Sequence, residues 1–600
     1  MRFNLLLFVL VVSATFAASS WPFDLPRSDE PKASVDAYQN LYRKISADTV
    51  KVNTYDGVWK SAPHNFGATY HKRQTEDGQE SLVEFPTKGL FGSEEHWKDL
   101  FDNLIHAQHN KEEYARLRDD ALMSCDADEK SDFFKMAPIF SGTLTLDNPT
   151  LTYSAKCFKD STATLNVVSK NTVEIVHKLK SPKSLMCTDS YFYATLSNFH
   201  VEVFARHGTH KVTFKMTDDQ YKEFEAIGIS LFRVCDKSIH FIPDFFKSLW
   251  LFIGGLGLNP NIPFFGSKPT PFMEKQNVKF LGEAMNYTWQ VRPQDTVVEL
   301  DESLINSGDF LAIIRFDGLD PIIGYGSGSH VGHCTMAIRI DGELYVAESQ
   351  SGWYWPRTGI QMNPYKEWVK WARNAGFHVT WLPLKPEISA KFDNDAAVKF
   401  FKTIEGHPYG YHNFLWGWLD TAHHSYPPLL SPEFLGPAMA IIEKLVPSAS
   451  DSVYTQSLNM RLGTKNLTIA QVAVEAASRN LTVPDLYAMV EKDGWMYSDG
   501  VSYVCSSFVV AMYKAAGLFD GLDVNAVEFT PRDLYQLDFF DPNPPVPANC
   551  KAVDPTNPYC QIMGKWRMEF PGIGTVSMYQ NMNENCWSEG PEYGRYPEGC

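Results

Sequence analysis

The Asp341-Gly342 pair constrains the fold of this chain more than any other short segment. Two segments of alternating apolar and polar residues flank it, SHVGHCTMAIRI on one side and ELYVAESQ on the other. Asp-Gly favours the positive φ angles of a two-residue β-turn, so the pattern predicts an antiparallel hairpin. In the register that such a turn sets, Ile340 faces Glu343.

Alternation along the two strands places His333, Thr335, Glu348 and Gln350 on one face, whereas Cys334 points to the opposite face among apolar neighbours. A histidine and a carboxylate on one face are the orienting pair of a nucleophilic triad. The same pair also occurs as an ordinary hydrogen-bonded pair in a core or on a surface. The hairpin alone therefore does not decide between these two interpretations.

The segment GVSYVCSSFVVAMYKAAGLF supplies a candidate nucleophile. Asp499-Gly500 marks a turn, apolar residues then recur at helical spacing, and Gly517 suits the end of a helix. Cys505 falls in the first turn, where the helix dipole and the free backbone amides lower the pKa of a thiol. The same amides can bind an oxyanion. For Cys505 taken alone, a buried structural thiol is the competing interpretation.

Ten cysteines are present, and eight of them fall into two clusters of four. The clusters are Cys125, Cys157, Cys187 and Cys235, and Cys550, Cys560, Cys586 and Cys600. Their loose spacing without C-x-x-C pairs favours disulfides over zinc, with the connectivity open in each cluster. Cys334 and Cys505 remain. They either pair with each other or stay as buried thiols, one of which is a candidate nucleophile.

The chain begins MRFNLLLFVLVVSATFAASS, which predicts a cleaved secretory signal peptide at residues 1–18. Its apolar run is too short to span a bilayer, and we expect no stable membrane span elsewhere. Sequons at Asn286, Asn466 and Asn480 fit an exported, disulfide-bonded glycoprotein. The expected location is therefore outside the cell or in the endolysosomal lumen.

A length of 600 residues with 44% hydrophobic content allows more than one domain. The net charge of −17 without a long basic run disfavours nucleic acid as a partner. The patterns predict an α+β protein divided as follows: 1–18 signal peptide, 19–137 mixed helical N-terminal region, 138–245 antiparallel β-rich sandwich-like domain, 246–289 linker, 290–545 strands mixed with helices, and 546–600 Cys-rich tail, a surface extension stapled by disulfides.

Four segments resemble, in their order, the permuted branch of the NlpC-type papain-like superfamily, which includes the lecithin–retinol acyltransferase relatives. They are SGDFLAIIRF, SHVGHCTMAIRIDGELYVAES, GHPYGYHNF and YVCSSFVVAMYKAAG. In that branch the histidine and acid strands precede the helix with the nucleophilic cysteine. The resemblance implies a permuted papain-like catalytic domain at 290–545. Residues 417–490 depart from the compact form of the family as a long insertion.

The resemblance implies that Cys505 is the nucleophile, His333 the base and Glu348 the third polar residue. His330 remains an alternative base, and Gln350 an alternative to Glu348. No cofactor and no metal are expected, because the H-x-x-H-C motif lacks an accompanying H-E-x-x-H or paired C-x-x-C.

The expected function is that of a cysteine-dependent amidase, peptidase or acyl hydrolase that works through an acyl-enzyme on Cys505. Peptides, peptidoglycan-like peptides and lipid amides or esters are the expected substrate classes, by family analogy. Acyl transfer in place of hydrolysis uses the same residues. The alternative is a non-catalytic papain-like scaffold whose β-sandwich binds a glycan, a lipid or a protein.

Overall fold

The structure is a computed structural model that describes five long stretches of the chain. Apart from short gaps, these are 138–234, 269–350, 359–413, 450–497 and 501–578, together with 70–74, 80–84 and a few residues between 436 and 443. The predicted signal peptide, most of the predicted mixed helical region at 19–137, and the sequon at Asn286 lie outside the described residues.

The described residues form strands and helices that alternate irregularly along the chain. The strands are β1 (Tyr70–Gln74), β2 (Glu80–Glu84), β3 (Pro138–Leu144), β4 (Thr150–Tyr153), β5 (Phe158–Ser169), β6 (Thr172–Pro182), β7 (Asp189–Ala194), β8 (Phe199–Phe204), β9 (Gly208–Lys215), β10 (Ile229–Val234), β11 (Phe310–Ile314), β12 (His333–Ile340), β13 (Glu343–Gln350), β14 (Gly359–Pro364), β15 (His378–Leu382) and β16 (Cys560–Met563). The helices are α1 (Asp218–Ile227), α2 (Pro271–Ala284), α3 (Leu319–Ser327), α4 (Tyr365–Ala375), α5 (Pro386–Ser389), α6 (Asn394–Ile404), α7 (Gln456–Leu462), α8 (Ile469–Ser478), α9 (Val483–Tyr487), α10 (Cys505–Ala515), α11 (Pro531–Gln536) and α12 (Ala548–Val553). The fold is therefore mixed α+β with antiparallel sheets, as predicted.

Two four-stranded antiparallel sheets occupy residues 138–234, with strand orders β3-β10-β7-β8 and β4-β5-β6-β9. They share one apolar core, to which Tyr191 and Leu231 contribute from one sheet and Leu165 and Ile175 from the other. Alternation of apolar and polar residues explains this arrangement, since each sheet buries one face. Helix α1 from this region also packs against α8.

The central element is a six-stranded antiparallel sheet with the order β14-β13-β12-β11-β15-β16. One face packs against α10, and the other packs against α4, whose Trp368 is buried. Because both faces are covered, every residue from His333 to Ile338 in β12 is buried. Residues from this sheet and from the start of α10 form the candidate active site.

The predicted hairpin is confirmed, because β12 pairs with β13 in a register from Ile340↔Glu343 to Thr335↔Glu348. Asp341 and Gly342 form the turn with φ angles of 51° and 85°, the left-handed region that Asp-Gly tolerates best.

Two regions differ from their sequence-based descriptions. Helix α2 (Pro271–Ala284) lies in the predicted linker, and its Phe280 and Leu281 are buried in the main core. The tail at 546–600 is more than a surface extension, because β16 pairs with β15 as the edge strand of the central sheet. The spacing of Pro, Asn and Cys predicted disulfides of open connectivity in this tail, but it did not predict the short strand Cys560–Met563. Within the stretches described above, no helix is both long and apolar enough to cross a membrane.

Candidate active site

Cys505 is the first residue of α10, and its side chain lies at the junction of three elements. Val504 precedes it in extended conformation, so the predicted helix start is confirmed. Tyr503 forms a parallel bridge with Tyr409, and its carbonyl accepts the Ser349 hydroxyl at 2.7 Å. These contacts fix the helix N-terminus against β13 and the 407–413 segment, with Cys505 only 2% exposed.

His333 lies between Cys505 and Glu348. Its Nε2 is 3.1 Å from Oε2 of Glu348, and the ring also makes a hydrogen bond with Cys505. Burial opposes a charge on this imidazole, but the hydrogen bonds and the attraction to Cys505 and Glu348 outweigh it and raise the pKa of His333 to about 10. The histidine is therefore held as an imidazolium.

Glu348 is fully buried and receives hydrogen bonds at both oxygens. Gln350 Nε2 donates to Oε2 at 3.0 Å, beside the imidazole. Trp368 Nε1 donates to Oε1 at 3.1 Å, and Asn363 Nδ2 approaches the same oxygen at 3.5 Å. Donors on all sides compensate for the lost hydration of a buried carboxylate and fix its orientation.

The Cys505 sulfur accepts hydrogen bonds that lower the pKa of this thiol well below its usual range. The largest contribution is the hydrogen bond from the Cys334 thiol. Burial opposes ionisation, and the His333 hydrogen bond, the His333 charge and the Cys334 backbone amide favour it. Burial and the same hydrogen bond raise the pKa of Cys334, which stays protonated as a donor. The site thus holds a thiolate–imidazolium pair with a second thiol beside it.

Sequence reasoning placed Cys334 on the face opposite His333, and the structure agrees, since Cys334 packs in the α10-facing core. The contact between Cys334 and Cys505 was not predicted, because the alternation along β12 does not tell where the start of α10 lies against that strand. Both thiols are free, so the predicted alternative of a bond between them is not what the structure holds. In the C-terminal cluster, Cys550 and Cys560 form a disulfide.

Tyr409 is a further residue at the site, from the GHPYGYHNF segment. Its hydroxyl lies 3.9 Å from the Cys505 sulfur and also meets the Cys505 backbone amide. Gly410 allows this approach, because a Cβ there would lie 2.6 Å from the Tyr503 carbonyl carbon. The Cys505 N–H donates to this hydroxyl, and the hydroxyl in turn is a donor that a developing oxyanion beside the sulfur can use.

The two alternative residues have other partners. His330 Nδ1 accepts the Glu569 amide at 3.1 Å, and its ring lies against Trp289. Burial and the nearby Arg532 lower the pKa of His330 to about 3, so it stays neutral. Gln350 donates to Glu348 and supports the acid without taking its place.

A small pocket of about 50 Å³ is lined in part by Cys505. Its walls are mostly apolar and come from α3, the 407–413 segment, the start of α10 and residues 527–531. This volume is smaller than that of a typical small-molecule binding site. The candidate nucleophile therefore lies on the wall of a small, mostly apolar pocket.

Comparisons with protein-family models, with curated proteins and with solved structures found no match to this chain. Among the residues that the structure describes, no group of three His, Cys, Asp or Glu side chains is arranged to hold a metal ion.

Proposed function

We propose that this protein is a cysteine-dependent hydrolase that cleaves amide or acyl-ester bonds through an acyl-enzyme on Cys505. One observation supports it above all. A buried thiol at a helix start is hydrogen-bonded to His333, and that imidazole is held by Glu348. A thiol is activated when it is hydrogen-bonded to a base and an acid holds that base in its orientation.

In the proposed acylation, the Cys505 thiolate attacks the substrate carbonyl carbon and forms a tetrahedral intermediate. The Tyr409 hydroxyl, which accepts the Cys505 N–H, donates to the oxyanion and stabilises it. The imidazolium of His333 donates its proton to the leaving nitrogen or oxygen, and the bond from that atom to the carbonyl carbon breaks. An acyl thioester on Cys505 and a free amine or alcohol result.

Deacylation reverses these roles. Neutral His333 takes a proton from water as the water oxygen attacks the thioester carbonyl, and collapse of the intermediate releases the acid and restores the thiolate–imidazolium pair. Glu348 keeps the ring in one orientation throughout. An alcohol or amine in place of water would give acyl transfer with the same residues.

The proposed family is the permuted branch of the NlpC-type papain-like superfamily. The order of the chain supports it, since the histidine and acid strands β12 and β13 precede the cysteine helix α10. The proposed location is outside the cell or in the endolysosomal lumen. The apolar N-terminus supports it, and so do the exposed side chains at the sequons of Asn466 and Asn480.

Intact-protein mass spectrometry tests the proposal. The full chain is incubated with a thiol-reactive acyloxymethyl ketone, and the modified residue is mapped by peptide sequencing. Modification of Cys505, lost in Cys505→Ala and retained in Cys334→Ala, is the expected result. Preferential modification of Cys334, or no modification of either, would contradict it.

A further inference from the structure

Two thiols meet where the start of α10 lies against β12, and the proposed hydrolysis uses only one of them as a nucleophile. The Cys334 thiol donates a hydrogen bond to the Cys505 sulfur, and the Cys334 backbone amide donates to the same sulfur. Both thiols are free. Because Cys334 is fully buried and Cys505 is 2% exposed, the surrounding core holds the two side chains against each other.

The contact between these thiols is close to the geometry of a disulfide. Cys334 lies in β12 opposite Ala312 of β11, and Cys505 begins α10, so both side chains project from regular elements. The hydrogen bond already brings the two sulfur atoms together. The sulfurs of a disulfide are about 2.05 Å apart, so a bond between them requires a shift of roughly 1–2 Å.

The two sulfurs differ in charge. Hydrogen bonds from Cys334 and His333 lower the pKa of Cys505, whereas burial raises the pKa of Cys334. One sulfur is therefore a thiolate, the form that attacks a peroxide, and its neighbour is a thiol. A thiolate beside a second cysteine is the arrangement found at sites of reversible cysteine oxidation, where the second thiol converts the oxidised one to a disulfide.

A small oxidant can reach Cys505 before it reaches Cys334. Among the described residues that line the pocket of about 50 Å³, Cys505 is present and Cys334 is absent. A cavity of roughly 10–15 Å³ holds one water molecule. The pocket therefore has room for hydrogen peroxide, a molecule with two oxygen atoms, beside the thiolate.

We propose that hydrogen peroxide oxidises Cys505, that Cys334 then forms a reversible disulfide with it, and that this bond switches off the nucleophile. The inference goes beyond the proposed function, because it requires the two thiols and no hydrolysis. While the disulfide is present, neither sulfur can attack a carbonyl carbon. The enzyme is then active only where a dithiol reductant keeps the pair reduced.

Oxidation takes place in two steps. The Cys505 sulfur attacks a peroxide oxygen, the S–O bond forms as the O–O bond breaks, and the departing hydroxide takes the proton of the His333 imidazolium as water. The Cys334 sulfur then attacks the sulfenic sulfur, the S–O bond breaks, and the hydroxyl leaves as water with the Cys334 proton. The peroxide is reduced to two water molecules as the two sulfurs are oxidised. A dithiol reverses the change and becomes a disulfide itself.

Peptide mapping of the full chain tests the inference. The reduced protein is treated with hydrogen peroxide and then with dithiothreitol, without denaturant. Alkylation of Cys505 by iodoacetamide is measured at each stage. After peroxide we expect a peptide in which Cys334 is cross-linked to Cys505, together with the loss of nearly all Cys505 alkylation. Dithiothreitol should remove the cross-link and restore the alkylation.

Cys334→Ser is the matched variant, since its hydroxyl can still donate to the Cys505 sulfur but cannot form a disulfide. Peroxide should take Cys505 of this variant to the sulfinic acid, which dithiothreitol does not reduce, so alkylation should stay lost. Recovery of the variant to the same extent as the wild type would overturn the inference.

The wild type decides the question whether or not Cys334→Ser folds. Unchanged alkylation of Cys505 after peroxide, or sulfinic acid at Cys505 without the cross-linked peptide, would overturn the inference and leave the proposed function standing. Failure of the reduced wild type to be alkylated at Cys505 before any peroxide is added would overturn both.

Discussion

The Nε2 atom of His333 lies 3.1 Å from Oε2 of Glu348, across the strand pair that a two-residue turn connects. The same imidazole makes a hydrogen bond with Cys505, which comes from a helix far along the chain. The acid, the imidazole and the thiol are therefore connected by hydrogen bonds through His333.

Replacing Glu348 should lower both stability and reactivity. Glu348→Gln puts an NH₂ group where only acceptors fit, against the donors His333, Gln350 and Trp368. Breaking a buried, fully bonded charge in this way should cost about 3 kcal/mol in the free energy of unfolding. Denaturant titration measures the loss, and Glu343→Gln at the exposed turn is the control that should change it little. Equal stability of the two variants would contradict the role assigned to Glu348.

His333 and His330 should respond differently to the same change. His333→Gln removes the imidazolium beside the sulfur, so the pKa of Cys505 should rise and alkylation at pH 6 should slow. His330→Gln keeps an acceptor for the Glu569 amide and should leave the alkylation rate near that of the wild type. Stopped-flow kinetics with iodoacetamide distinguish the two. A larger effect from His330→Gln would show that His330, and not His333, is the base.

The Cys334 thiol should contribute measurably to the acidity of Cys505. A hydrogen bond to a charged group is worth about 1.5–3 kcal/mol, so Cys334→Ala should raise the pKa of Cys505 by about one unit or more. Cys334→Ser keeps an O–H donor and should retain most of the effect. The pH dependence of alkylation measures both. If Cys334→Ala and Cys334→Ser behave alike, the side-chain hydrogen bond has no such role.

Removing the Tyr409 hydroxyl should slow turnover without weakening binding. Tyr409→Phe keeps the ring contact with Tyr411 but loses the oxyanion donor, so kcat should fall about 10²- to 10³-fold with KM nearly unchanged. Tyr345→Phe, whose hydroxyl bonds only to Glu343 near the turn, is the control. A rise in KM with an unchanged kcat would instead make Tyr409 a binding residue.

The stability that the ion pair contributes should be greatest between about pH 6.5 and 8.5, the ordinary pKa values of His and Cys. Below this window the unfolded chain holds a proton on both His333 and Cys505, whereas the folded pair holds one on His333 alone. The unfolded chain therefore binds more protons, and stability falls with falling pH. Above it, unfolded Cys505 loses its proton while folded His333 keeps one up to about pH 10, so stability falls with rising pH. The difference in unfolding free energy between the wild type and a Cys505→Ala/His333→Gln double variant measures this. A difference in unfolding free energy that only rises or only falls with pH, without a maximum, would contradict this prediction.

Local patterns predicted those parts of the site that depend on neighbouring residues. The Asp341-Gly342 turn fixed the register that brings His333 near Glu348, and the apolar spacing after Gly500 placed Cys505 at a helix start. These are short-range consequences of turn chemistry and helical periodicity.

Residues whose roles depend on contacts between distant elements were not predictable in this way. The Cys334 thiol reaches Cys505 because α10 begins at the end of β12, and the Tyr409 hydroxyl reaches it because of a bridge to Tyr503. The strand at Cys560–Met563 is only four residues long, too short for its alternation to stand out from the surrounding turns.

The rate of Cys505 alkylation as a function of pH tests the central claim most directly. Iodoacetamide is applied to the full chain from pH 4 to 10, and modification at Cys505 is quantified by mass spectrometry, with Cys505→Ala as the blank. If the thiolate–imidazolium pair exists, the rate will already be at its plateau at pH 7. A rate that rises with a midpoint near 8.5, as for an ordinary thiol, would contradict the account.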